Sequence, residues 1–581
     1  SLIVIKKRGL PIKPMTKKLT IKSILILILF FTRTVNAQYP ELVKDIAAFP
    51  NSSAPAKFAV LGNQLLFSAR TGNFGSGDRE LFISDSSAAG TQLFLDIVPG
   101  SGSSDPQFLV NHYGKVYFAV ADNSFGPLVY RPWVTDGTIV GTYPLLPTPS
   151  SFGGSLAYGT YDFKPEDIFL ACNGSVYFVA LEDGGNYRRM LYKTDGSING
   201  TTVVLNPNTG VPGPEAGLMT LNDSIYFIGS ISGSGSELYK TDGTPGNYSL
   251  VKSNLMYTPF NSFAVYDNKL FFYATVPNSP SYYEPWVSDG SDAGTYQLAD
   301  INPVPFNESF ANSFTRVNGK LLFIAKPSND TAAIYCVDSL NATLSPVYVK
   351  SIFEGGIPAY NSRWLSLNPG GSAAYFRGRD LINGDELWIT DGTTAGTNML
   401  KDIMPGTNGS VAHTFVNYCG ETYFTASNPN TFAAQSLYKT NGTANGTVLL
   451  PGTIVDPSQG TGITDKIVFK NSLFFSGQYD VNTGLELYKY TAACATGVDH
   501  EPVTAGVRLY PNPSSGNIAI EVGAGHAISS LLIYSADGQL VYRDLAPQQV
   551  NSIISLQLST GLYMVELITD YGVIFEKLIV R

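Results

Sequence analysis

The chain has 581 residues, with 37 Lys and Arg against 46 Asp and Glu for a formal charge of -9; 12% are aromatic, 14% charged, and 57 are glycine. This length leaves room for several domains, or for one large repeat domain and a tail. Aromatics combined with turn formers suit an all-β protein, and an acidic chain lacks the clustered Lys and Arg that a nucleic-acid partner requires.

The chain opens basic. Its first 37 residues hold eight basic side chains (Lys6, Lys7, Arg8, Lys13, Lys17, Lys18, Lys22, Arg33) and no acidic one, so the rest carries 29 basic against 46 acidic residues, or -17. From Met15 the pattern is that of a signal peptide. Lys17, Lys18 and Lys22 precede the apolar run Ile24 to Phe31, and Val35-Asn36-Ala37 offers a small-residue cleavage site. The apolar run is too short to span a bilayer as a helix, so the mature chain is expected to have no transmembrane anchor. Residues 1–37 are read as this leader, with Met15 as the natural start.

From Gln38 to Tyr490 one phrase recurs: ELFISDSSAAGT from Glu80, RPWVTDGTIVGT from Arg131, MLYKTDGSINGT from Met190, ELYKTDGTPGNY from Glu237, EPWVSDGSDAGT from Glu284, ELWITDGTTAGT from Glu386 and SLYKTNGTANGT from Ser436. A degenerate copy starts at Ala333 and a truncated one, ELYKY, at Glu486. Upstream of the copies stand hairpin patterns such as FAVLGNQLLFSA from Phe58 and FTRVNGKLLFIA from Phe314, two apolar runs about a polar turn. Downstream comes a further strand pattern such as TNMLKDI. Each unit of about 50 residues thus supplies four short strands, the size of a propeller blade. Asp-Gly reverses the chain within the phrase, and the second Gly resets it for the outer strand.

The hairpins and phrases give nine units. The last stops at ELYKY, and the segment from Pro40 to Ile46 has the form of the strand it lacks, so strand closure by Leu42 to Ile46 is expected to complete a ring. Nine exceeds the common four to eight blades. A single large ring, a smaller ring with one unit extruded, and an open superhelix all remain open. The phrase resembles the ELWxxDGT repeat of secreted proteins of Bacteroidetes-type bacteria, most fully at Glu386-Leu387-Trp388 with Asp391-Gly392-Thr393. It departs at Asp85-Ser86, at Asn441 and in the unit from Ala333.

Residues 491–506 read as a linker. Residues 507–581 follow with alternating strands and turns at Asp537-Gly538 and Thr560-Gly561, a pattern for a small Ig-like sandwich. They resemble the type A C-terminal sorting domain of the type IX secretion system. The matching residues are Tyr510, Pro511, Asn512, Pro513 and Gly516, then Asp537 and Gly538, Gly561 and Tyr563, and Lys577. The resemblance implies handling by the type IX machinery, removal of the domain by its surface peptidase, and release or attachment outside the cell.

The repeated Asp-Gly pairs (Asp136-Gly137, Asp195-Gly196, Asp242-Gly243, Asp289-Gly290, Asp391-Gly392) are read as turn residues rather than cation ligands, since a residue repeated in every unit serves the unit. Trp133, Trp286 and Trp388 share a position with Phe82, Tyr192 and Tyr239, and Trp364 shares one with Phe58, so all four tryptophans are assigned to the core. Loop tyrosines such as Tyr282 and Tyr283 are the exposed alternatives for recognition. The four cysteines, Cys172, Cys336, Cys419 and Cys494, form no CxxC, and His112, His413, His500 and His526 show no ligand spacing. No metal, cofactor or catalytic constellation is expected. Disulfides are open to three pairings, and buried thiols are the alternative for Cys172, Cys336 and Cys419. The functional expectation is a secreted or surface-attached binding or adhesion scaffold for an unknown glycan or protein. Specificity is expected in insertions such as Leu146 to Phe169 and the loop after Ala274. A secreted propeller enzyme acting on polysaccharide is the alternative.

Overall fold

The computed structural model describes residues 39–492 apart from 49–50, 72–77, 101, 123–128, 147–167, 182–188, 216, 232–235, 256–262, 277–282, 306, 329–330, 339–343, 355–364, 430–434, 452–464 and 481, together with most strand residues of 508–580. The leader assigned to residues 1–37, Trp364, Tyr282 and most of both expected specificity insertions lie outside them. Among the described residues no helix is long and apolar enough to cross a membrane.

The chain builds a succession of four-stranded antiparallel sheets, a propeller-like all-β fold. The first sheet runs Ala56–Leu61, Gln64–Arg70, Arg79–Ser84, Gln92–Leu95, in chain order from one edge to the other, and the pattern repeats along the chain. One pair of consecutive sheets is joined through a single parallel pairing, Phe353 with Arg379. The apolar middle strands explain the stacking. In Gln64–Arg70 the five central residues are buried on both faces, so the sheet needs protein on either side. Core clusters accordingly lie between consecutive sheets: Leu66 and Leu81 meet Val116 and Phe118, and Tyr375 and Leu387 meet Phe424 and Tyr438.

The ends of this succession meet. Glu41–Lys44 pairs antiparallel with Glu486–Tyr490, Glu41 facing Lys489 and Leu42 facing Tyr488, and supplies the fourth strand of the last sheet. Leu65, Phe67 and Phe82 of the first sheet pack with Phe469, Phe474 and Leu487 of the last, with Val43 among them.

The C-terminal region forms two further sheets, Arg508–Tyr510 with Asn517–Glu521 and Ile553–Ser555, and Leu540–Asp544, Ile528–Ser535, Gly561–Thr569 and Gly572–Val580. Cys172 and Cys336 are buried free thiols. Cys419 departs from the buried-thiol alternative: it is disulfide-bonded, to a partner outside the described residues.

Candidate functional site

Each unit has two polar ends. At one end lies the Asp-Gly turn, and its hydrogen bonds close within a few residues. Asp136 Oδ1 accepts the Thr138 N–H at 2.9 Å and the Thr138 hydroxyl at 2.7 Å. That hydroxyl accepts the Gly141 N–H at 3.0 Å, while the Thr142 hydroxyl donates to the Thr138 carbonyl at 2.7 Å. The same network recurs at Asp289 and Asp391. Asp195 and Asp242 accept the N–H two residues on. The hydroxyl of Thr138, Ser197 or Ser291, and then the backbone N–H, hold Asp136, Asp195 and Asp289 below the usual carboxylate range.

Gly137, Gly196, Gly243, Gly290 and Gly392 all take positive φ, between 80° and 88°. The second glycine does more than reset the chain: a Cβ on Gly141 would lie 2.0 Å from Asp136 Oδ1, so its hydrogen leaves the space the carboxylate fills. Two of the departures from the phrase, at Asp85-Ser86 and at Asn441, keep the turn. Ser86 adopts φ 81°, and Asn441 Oδ1 accepts the Thr443 N–H at 3.1 Å.

At the other end the decisive residue is a glutamate that sequence reasoning passed over. Glu80, Glu284, Glu386 and Glu486 stand within the first three residues of the third strand of their sheets and are at most 3% exposed. Glu386 accepts the N–H groups of Ile403, Met404 and Ser410 at 2.9 to 3.0 Å and the Ser410 hydroxyl at 2.6 Å. Glu80 holds Ile97 and Ser104 in the same way, and Glu284 holds Ile301 and Asn302. Glu486 turns to the other end of the chain, taking the N–H of Ile46 at 2.8 Å and the N–H and hydroxyl of Ser53 at 2.9 and 2.5 Å. Each carboxylate thus pins the connection that leads to the next sheet. Burial pushes these carboxyls up, to about 7 for Glu284 and Glu486, against the pull of their hydrogen bonds. A repeated signal existed in the sequence: Asp-Ile at 45, 96, 300 and 402, with a serine seven or eight residues beyond each Ile.

The aromatic position is core, as expected, with Trp286 and Trp388 at 5% and 7% exposure and Trp133 half-buried. Their indole N–H groups are buried without partners. Tyr283 corrects an expectation. It is buried against Tyr273 rather than displayed on a loop, because it immediately precedes the buried Glu284.

A further polar group gathers around the strand that opens the hairpin of each of the last two sheets (the inner strands, His413–Tyr418 and Lys466–Phe469) and the strand Glu421–Ser427 that follows the former. Lys466 Nζ donates to the hydroxyls of Thr414 and Thr425 at 2.6 and 2.5 Å, and these hydroxyls lie 2.8 Å apart. His413 Nδ1 lies 2.9 Å from the Val411 carbonyl, and the charges of Lys466 and Arg377 reinforce burial in disfavouring its protonation. Arg377 Nη2 donates to Asp385 Oδ2 at 2.5 Å. Among the described residues no three or more His, Cys, Asp and Glu are placed to hold a metal ion.

In the C-terminal region Tyr510 lies on a strand, Gly561 opens the strand on which Tyr563 sits, and Lys577 faces Met564 across the sheet. The Tyr563 hydroxyl donates to the Ser559 carbonyl at 2.8 Å. Pro511, Asn512, Pro513, Gly516, Asp537 and Gly538 lie outside the described residues.

Residues 508–581 match the secretion system C-terminal sorting domain family. This domain supports export by type IX secretion, to the cell surface or the extracellular space. No curated protein matches the chain in sequence. Among solved structures, puromycin hydrolase matches with 15% identity and a TM-score of 0.32 over 67% of this chain, which spans 60% of that enzyme. The β-propeller domain of the trilobed protease from Pyrococcus furiosus matches with 10% identity and a TM-score of 0.30, over 67% of this chain and 93% of that one. An uncharacterized protein from Listeria monocytogenes EGD-e matches with 10% identity and a TM-score of 0.30, over 60% and 94%.

Proposed function

We propose that this chain is a non-enzymatic binding or adhesion protein, secreted or held at the cell surface. Its body, residues 38–490, is a closed propeller of nine four-stranded units carrying an ELWxxDGT-type repeat. A linker, 491–506, joins it to an Ig-like sorting domain that the surface peptidase of the type IX system removes. One observation carries the functional reading: the polar residues that the repeat multiplies are committed internally. The aspartates hold turns, the glutamates hold connections, and the tryptophans fill the core. What varies from unit to unit is the set of connections, where a rigid scaffold displays recognition.

Two experiments test this. Deleting residues 508–581 should leave the repeats folded and trapped in the periplasm, because the two regions have separate cores; surface delivery of the truncated chain would rule the sorting role out. The purified body should bind a component of a glycan and host-protein array and turn over no polymer in a hydrolase and lyase screen. Polymer turnover abolished by a single carboxylate substitution would establish the polysaccharide-acting enzyme instead.

A further inference from the structure

One inner-strand position breaks the pattern of its equivalents. Three residues before the last residue of this strand stand Phe58, Phe169, Phe263, Phe314 and Phe415 in five sheets, and Leu109 and Leu218 in two others. In the last sheet the same position is Lys466, facing Phe475. An ammonium group here replaces an apolar side chain between two packed sheets, at a cost in desolvation. Its fixed partners are two neutral hydroxyls, which leave one N–H of the ammonium uncommitted. Among the described residues no carboxylate oxygen lies within ion-pairing distance. Neighbouring Asp465 is engaged by the Lys57 N–H of the first sheet at 2.7 Å.

The surroundings point to what would complete the site. Thr425 is fully buried, Lys466 is half-buried and Thr414, with φ at 51°, is exposed, so the Lys466–Thr414 pair lies at the margin of the core. The Arg377 Nε is buried without a partner. Arg377 and Arg379 share the single carboxylate of Asp385, so the nearby groups sum to a local positive charge within a strongly acidic chain. Burial pushes the Lys466 ammonium down to about 7.

We propose that Lys466, with the Thr414 hydroxyl, anchors an oxyanion carried by an acidic polysaccharide, a carboxylate or a sulfate ester. The site lies on the inner strands between the last two sheets. It rests on the binding role proposed above and gives that role a ligand class. The acidic body repels a polyanion in general, so capture depends on this one local site and not on net charge. A bound oxyanion supplies the ammonium with the charged partner it lacks, and it favours the protonated lysine among His413, Arg377, Asp385, Asp465 and Lys57.

The test uses the mature chain and its Lys466→Leu variant, titrated by calorimetry with a galacturonate hexamer, a heparin-derived hexasaccharide and neutral maltohexaose. Leucine belongs at this position in other sheets, so the variant should fold and melt at the same or a higher temperature. The wild type should bind one or both acidic oligomers, and the two acidic arms tell carboxylate from sulfate. The variant should bind about tenfold more weakly or worse. Proton uptake at pH 7 should accompany binding to the wild type and disappear in the variant. Equal binding by both proteins, no acidic binding at all, or a variant that melts lower because the lysine is structural would each overturn the site. Binding of maltohexaose or of a protein ligand, unchanged in the variant, would discard the oxyanion site and leave the binding role standing. Polymer turnover would discard that role itself.

Discussion

The sheets of Glu80, Glu284, Glu386 and Glu486 contrast with those whose third strand carries Arg131, Met190, Ala333 or Ser436 at the same place. Where the glutamate is present, the connection that follows is tied down by its carboxylate. In three of these four sheets it takes the same length, spanning residues 45–55, 96–106 and 402–412. Where the glutamate is absent, the length varies more widely, from the same 11 residues at 355–365, through 206–218 and 450–465, to the 25 residues of 145–169. In the sheet of Glu237 the carboxylate accepts the Tyr239 hydroxyl instead. A buried carboxylate therefore ties its connection down, and under the binding role proposed above the untied connections are where ligand specificity belongs.

The strongest way to break this contrast is Glu486→Ala. It leaves the Ile46 and Ser53 N–H groups without their acceptor and the Ser53 hydroxyl with only its longer bond to the Leu485 carbonyl at 3.4 Å. A loss of ~3–5 kcal/mol is expected from leaving several buried donors unpaired, read as a fall in urea midpoint and early proteolysis near residue 50. Ser436→Ala at the equivalent position removes a hydroxyl that is buried without a partner, and should change stability by less than ~0.5 kcal/mol. Similar losses in both variants would end the distinction between the two kinds of sheet.

At the turn end, Gly396→Ala places a Cβ 2.1 Å from Asp391 Oδ1. A loss of ~1–3 kcal/mol follows from forcing this contact apart, and an Asp391→Ala, Gly396→Ala double variant should recover part of it by vacating the space. Losses that simply add would mean the two residues do not compete.

The carboxyls of Glu284 and Glu486 ionise only near 7 in the folded chain but near 4.5 when unfolded. Their contribution is complete below the unfolded value and is lost as pH rises through about 7. Thermal midpoints should fall between pH 5 and pH 8, and Glu284→Gln with Glu486→Gln should flatten that slope. A slope unchanged by both substitutions would assign it elsewhere.

The smallest effect is a gain. Ser86 holds the positive φ that glycine holds in the other turns, so Ser86→Gly should stabilise by ~0.5–1 kcal/mol, visible as a small rise in urea midpoint. A loss would mean that the Ser86 side chain contributes more than its backbone costs.

The turn end was legible because its donors lie within a few residues of Asp136 or Asp391, inside the phrase itself. The strands were legible for the same local reason. The glutamate end was not, because Glu386 acts on backbone N–H groups 17 to 24 residues away, and any residue but proline can supply those. Lys466 was hidden differently: its oddity exists only once strand register aligns it with Phe58 and Phe415. Tyr283 was misread because a loop tyrosine and a tyrosine opening a buried strand differ by one position in the chain.

The pairing of Glu41–Lys44 with Glu486–Tyr490 has a consequence in time. A strand made early is used late. The Ile46 and Glu486 partners lie 440 residues apart, and the wait between them is set by synthesis and export. Doubling such a loop adds only about 0.6 kcal/mol of closure entropy. Throughout that wait the edge of Glu486–Tyr490 stays open, and residues 41–44 of a second chain fit it as well as the chain's own. Crowding of unfinished chains in one compartment therefore favours swapped pairs, and dilution favours rings that close on themselves.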